Sequence, residues 1–323
     1  MQKQLIDLED YPVKWVLNLL LKDKTTKRNI IFATDSYSDK GEDYSFTRQM
    51  TTTNLLGLRK MDIQPRILKS QQVRQSRTRK NAEVFTPAWL CNQMNNYLDE
   101  EWFGRKYVFN VEKEQDWETV EDKIIFPEGK TWQDYIYSTR LEITCGEAPF
   151  LVSRYDTSTG ELIIPPKRRI GQVDRKLRVV NENTESENEW IEWAIKAYQS
   201  CYGYEYQGDS LLIARINFLL TFYDYYKERW DKDPSNVILR KIANIISWNL
   251  WQMDGLKGKV PYYAAEDEIE QTSLFELKYK EGILENNEGI KQEANLPCRI
   301  FDWRSKESIE FHLLRKGNSN EKV

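Results

Sequence analysis

Apolar residues recur along the chain at spacings that alternate between helical and extended. Val13 to Leu21 has the period of a short helix, and Asn29 to Ala33 that of a strand, followed by a polar turn around Ser36 to Asp43. After Thr86 and Pro87, the segment WLCNQMNNYLDEEWF sets Trp89, Leu90, Met94, Tyr97, Leu98 and Trp102 at amphipathic helical spacing. Thr86 is its natural N-cap, and Pro87 suits the first helical position. Residues 103–138 mix charge with aromatic rings and include a short helix over Trp132 to Tyr137.

The second half is more regular. Arg140 to Thr144 is a brief strand, and CGEAP forms a tight turn into FLVSRYD. Between Thr157 and Asn183, Gly160, Pro165, Pro166, Gly171 and the basic run Lys167 to Arg169 predict an excursion from the core. A helix follows over Glu187 to Gln199, then a strand over Ser200 to Tyr206, then a long helix for which Asp209 is the expected N-cap. Asp233 and Pro234 open another helix, expected to end near Asn244 and to hand over to the apolar run Ile245 to Trp251. Such alternation predicts an α/β fold with a parallel sheet. Residues 1–80 read as an amino-terminal extension with a basic linker, and 81–323 as one domain with excursions at about 103–138 and 157–183.

Composition narrows the chemistry. The 323 residues are 40% hydrophobic, enough for a sizeable core. No run of about 18 apolar residues and no signal-peptide pattern occur, so a cytoplasmic protein is expected. Cys91, Cys145, Cys201 and Cys298 lie too far apart for closely spaced zinc or dithiol pairs, and read as reduced, mostly buried thiols. With His312 as the one histidine, catalysis by Ser-His-Asp or Cys-His groups is disfavoured. A net charge of -4 gives no global attraction to nucleic acid. Arg59 to Lys80, however, carries eight basic residues against the single acid Asp62, and reads either as a solvated linker or as a contact for a DNA backbone or partner.

In doubly wound sheets a cofactor sits at the carboxyl ends of the strands, where a glycine turn lets backbone N–H groups approach it. Cys145-Gly146-Glu147 occupies such a place, and Glu205 stands where an acid ending the next strand can accept ribose hydroxyls. On the residues alone, a nucleoside cofactor and ordinary core turns both remain open.

Four segments in order, FTPAWLCNQM (85–94), LEITCGEAPFL (141–151), YGYEYQGDSLLIARINFL (202–219) and ISWNLWQMDGL (246–256), resemble successive motifs of the adenine-N6 DNA methyltransferases of restriction-modification systems, the subunit M type. The resemblance extends over nearly the whole chain. It implies a Rossmann-like sheet with helices on both faces that binds S-adenosylmethionine. Phe85, Thr86 and Pro87 would close over the methionine end of the cofactor, and the turn Glu142 to Phe150, including Cys145, Gly146 and Glu147, would bind its carboxylate, amine and ribose neighbourhood. Glu205 would hold the ribose, and Asp254 the adenine amino group; as residues alone, Asp254 before Gly255 reads equally as a loop cap.

Two departures from the family pattern stand out. Ala148 and Pro149 follow Glu147 where the family has glycine, so Ala148 is expected to avoid a glycine-only backbone conformation. The Asn/Asp-Pro-Pro-Tyr/Phe tetrapeptide that grips the flipped adenine is absent; Pro165-Pro166 is preceded by Ile164 and followed by Lys167. No catalytic residue is therefore assigned, and transfer to DNA would need a second polypeptide that carries the tetrapeptide and the target recognition domain. The other possibilities are a truncated product and a metal-dependent nuclease using Asp267, Glu276 and Lys278.

Overall fold

The computed structural model describes residues 5–58, 63–81, 86–263 and 296–316. Phe85, Asp267, Glu276 and Lys278 lie outside the described residues, as do Arg59 and Lys60 of the basic segment. In chain order the α-helices are α1 (Val13–Leu20), α2 (Thr52–Leu56), α3 (Gln71–Asn81), α4 (Ala88–Phe103), α5 (Trp132–Tyr137), α6 (Gln172–Asn183), α7 (Glu187–Gln199), α8 (Gly208–Trp230), α9 (Asn236–Asn249) and α10 (Phe311–Lys316). The strands are β1 (Asn110–Lys113), β2 (Asp116–Thr119), β3 (Arg140–Glu142), β4 (Cys201–Glu205), β5 (Leu250–Gln252), β6 (Arg299–Asp302) and β7 (Glu307–Glu310). No helix among the described residues is long and apolar enough to cross a membrane.

A parallel sheet of order β3-β4-β5 joins the two halves of the sequence, with Glu142 opposite Gly203 and Glu205 opposite Gln252. Side chains alternate across it. Cys201 and Leu250 face the large core built by α1, α6, α7, α8 and α9. Tyr204 and Trp251 face the other way, into a smaller cluster with Cys298, Ile300 and Phe311. The fold is thus mixed α/β, as expected. Among the described residues, however, the second face is covered by the β6–β7 hairpin and the start of α10 rather than by a layer of long helices.

The segment expected as an extension belongs to the same core. Leu17, Leu20, Phe32 and Met50 are fully buried there beside Leu250 and the helices. Gly208 donates its N–H to the Phe32 carbonyl, 2.9 Å. Its position is held by contact, since a Cβ there would stand 1.9 Å from the Ile31 carbonyl oxygen. The Gln252 side chain accepts from the Ile31 N–H and donates to its carbonyl, each at 2.9 Å. Buried Arg215 donates to the carbonyls of Leu20 (2.5 Å), Lys22 (3.0 Å) and Leu250 (2.6 Å). Asn29 to Ala33, expected as a strand, makes isolated bridges only, Asn29 with Lys22 and Ile31 with Gln49, and turns left-handed at Ala33, φ 48°.

Several expectations are corrected. Helix α4 has the predicted extent but the opposite face inward: Asn92, Asn95 and Asp99 are buried, while Met94, Tyr97 and Leu98 are exposed. The inversion follows from distant partners. Asn95 donates to the carbonyls of Phe150 and Ile170, and Asp99 pairs with Arg175 at 2.5 Å and accepts from the Tyr135 hydroxyl. Pro87, not Thr86, is the N-cap, and its lack of a capping side chain is made good by Asp156, which accepts from the Ala88 N–H at 2.9 Å.

The stretch 157–183 is not wholly an excursion, because its second half is α6, whose residues Gln172 to Val180 are all buried. Its charges are matched in place: Arg175 by Asp99, Lys176 by the carbonyls of Ile136 and Ser138 and the Ser200 hydroxyl, and Arg178 by Glu182. Helix α9 runs on to Asn249, so of the run Ile245 to Trp251 only Leu250 and Trp251 are strand; Leu239, Ile242, Ala243 and Ile246 supply a helical stripe that continues past Asn244. Asp209 is not an N-cap either. Gln207 holds that position, and Asp209 is buried inside the first turn of α8.

Candidate functional site

Beyond β3 the chain curls through a turn in which alternate residues are left-handed: Thr144, Gly146 and Ala148 have φ of 48°, 55° and 63°. Glycine adopts this at no steric cost, whereas a Cβ is disfavoured by about 1–2 kcal/mol. Ala148 therefore keeps a conformation that favours glycine without excluding other residues, and its methyl group is fully buried in the core. Hydrogen bonds fix the curl. Cys145 donates to the Tyr204 carbonyl on the neighbouring strand (2.9 Å), and Ala148 donates back to the Cys145 carbonyl (2.7 Å).

Three buried carboxyl groups meet this turn. Glu142, at the end of β3, accepts from the Leu151 N–H at 3.2 Å. Glu205, at the end of β4, accepts from the N–H groups of Gly146 (2.9 Å), Tyr206 (2.9 Å) and Gln207 (3.0 Å). Glu147 is turned away from both, toward the Arg66 N–H (2.7 Å) and the Tyr155 hydroxyl (2.6 Å). Burial pushes Glu142 well above the ordinary carboxyl range, and the nearby Glu205 charge adds to the rise. Burial also raises Glu205, against the pull of its three backbone donors. A carboxylate offers about four acceptor directions, so with three taken Glu205 has room for about one ribose hydroxyl.

The other predicted residues are distributed around this pair. Cys145 is a buried thiol raised by burial, and all four cysteines are free and buried. Phe150 is half-buried beside Ala88, Cys91 and Ile170, and its carbonyl accepts from Asn95 and the Gln172 N–H. Thr86 and Pro87 reach the exit of the turn from the other side, the Thr86 carbonyl accepting from the Thr157 hydroxyl at 3.0 Å. Asp254 caps its own loop, accepting from the N–H groups of Leu256 (3.0 Å) and Lys257 (3.1 Å). Thus the turn and Glu205 are brought together, Thr86 and Pro87 approach through Thr157 and Asp156, and Asp254 is engaged locally.

One polar network was not foreseen. Asp209 is the shared partner of Lys69 and Arg77, each at 2.9 Å, and Arg77 also donates to the Gln207 side chain at 2.7 Å. These two cations hold its carboxyl well below the ordinary range in spite of burial. The signal was present as an acid four residues after Glu205, but a carboxylate beside an apolar helix reads first as a cap. Among the described residues no cluster of three or more His, Cys, Asp or Glu side chains could hold a metal ion. No family model matches the chain, and no curated protein or solved structure matches it.

Proposed function

We propose that the chain is the S-adenosylmethionine-binding part of an adenine-N6 DNA methyltransferase of a restriction-modification system, acting in the cytoplasm on DNA. The observation that carries this reading is the bond from the Gly146 N–H to Glu205. It sets a left-handed turn after one strand beside an acid ending the adjacent parallel strand, the juxtaposition from which Rossmann-like sheets hold nucleoside cofactors. The fit is supported by Ala148, whose left-handed backbone preserves the curl where the family has glycine. Glu205 would take a ribose hydroxyl, the turn from Glu142 to Phe150 would surround the methionine portion, and Thr86 and Pro87 would border it. Bound there, the cofactor would supply an electrophilic methyl group.

A second polypeptide carrying the tetrapeptide and recognition domain remains part of this proposal. It is supported by β3, which has a partner on one side only among the described residues and leaves Leu141 and Ile143 exposed. Isothermal titration of purified protein with S-adenosylmethionine tests the reading. Saturable binding is expected, with loss of binding in a folded Glu205→Ala variant. Tritium transfer to DNA by the chain alone is expected to be negligible, since the tetrapeptide is absent. A folded wild-type protein that takes up no cofactor would end the proposal.

A further inference from the structure

The basic segment divides into two sets of side chains with different surroundings. Lys69 and Arg77 are committed to Asp209. On the remaining surface of α3, Gln71, Arg74, Gln75, Thr78 and Arg79 follow one another at helical spacing and, with Arg66, line a shallow cavity of about 370 Å³ that contains no acidic side chain. Residues 63–81 hold no Asp or Glu at all. Arg74 and Arg79 make no ion pair among the described residues, and the Arg74 Nε is buried without a hydrogen-bond partner there. Guanidinium groups left in this state beside amide side chains are suited to phosphate oxygens and, in a groove, to base edges.

We propose that this face of α3 is a contact surface for duplex DNA, held next to the candidate cofactor turn. Its placement supports the pairing of the two. The Arg66 N–H is fixed on Glu147 of the turn, and Arg77 on Gln207, two residues beyond Glu205. An 11-residue helix is about 16 Å long, and its width suits a major groove. DNA lying along α3 is therefore brought to the end of the sheet where the turn opens, and its phosphates meet cations that the fold does not consume. This rests on the reading of DNA as the substrate.

Fluorescence anisotropy with labelled duplex DNA across a salt series tests it. An Arg74→Ala/Arg79→Ala double variant is expected to bind more weakly, with a slope of log affinity against log salt shallower by about 2, as two lost phosphate contacts would give. A control variant, Arg240→Ala/Lys241→Ala, removes equal charge from exposed positions on α9 and should retain wild-type affinity and slope. Wild-type binding by the α3 variant, or an equal loss in the control, overturns the assignment. So does displacement of the duplex by polyglutamate as readily as by unlabelled DNA. If the α3 variant binds DNA normally and the protein still takes up S-adenosylmethionine, only this surface is wrong; if wild-type protein binds no DNA, the substrate reading falls with it.

Discussion

Helices α3 and α6 are both rich in cations, and the protein uses them in opposite ways. In α6, Arg175, Lys176 and Arg178 lie inside the protein, each against a fixed acceptor. In α3, Arg77 is committed in the same manner, but Arg74 and Arg79 point to a surface without acids. The number of cations, four in α3 and three in α6, does not by itself set this difference. What sets it is whether a distant segment delivers a partner, as Asp99 of α4 does for Arg175 from 76 residues away. A buried charge with such a partner becomes part of the fold; one without it must stay near water or meet a ligand.

The comparison breaks most readily at Asp99. An Asp99→Ala variant leaves the Arg175 guanidinium buried and unpaired, and should lose about 3–5 kcal/mol of stability in urea denaturation. A loss below about 1 kcal/mol would show that α6 does not depend on this pair. Next comes Lys176, whose pKa is lowered by burial to about 8. The unfolded chain then binds more protons than the folded one between pH 8 and 10.5, so stability should rise with pH through that window. A Lys176→Met variant should lack this part of the rise, a difference of roughly 1–3 kcal/mol between the two denaturation profiles; parallel profiles would contradict it. The smallest effect is expected in α3, where Arg74→Ala/Arg79→Ala should change the unfolding free energy from urea denaturation by less than about 0.5 kcal/mol. A larger loss would mean that these arginines also serve the fold.

The same contrast explains what could be read from the sequence. Helices α1, α7 and α8 and the strands β3 and β4 lie close to their expected positions, because their apolar spacing carries the information locally. The turn at Gly146 and the acid at Glu205 were legible as a glycine and a strand-ending carboxylate, and the fold joins them. What misled was polarity whose partners are remote. Asn92, Asn95 and Asp99 read as the outer face of α4, yet their acceptors and donors lie in α6, the turn exit and β1. Helix α6 read as an excursion for the same reason, and Asp209 as a cap, because nothing near it in sequence announces Lys69 and Arg77.

Arg215 gives the chain an order of assembly. Its guanidinium gathers carbonyls from Leu20 and Lys22, 195 and 193 residues earlier in the sequence, and from Leu250, 35 residues later. The Leu20–Lys22 segment therefore cannot complete its hydrogen bonding until the distant segment that carries Arg215 has docked against it. Contacts of such separation slow folding, since a long loop must close before they form. The carbonyls of Leu20 and Lys22 are thus among the last groups of the core to find their donor.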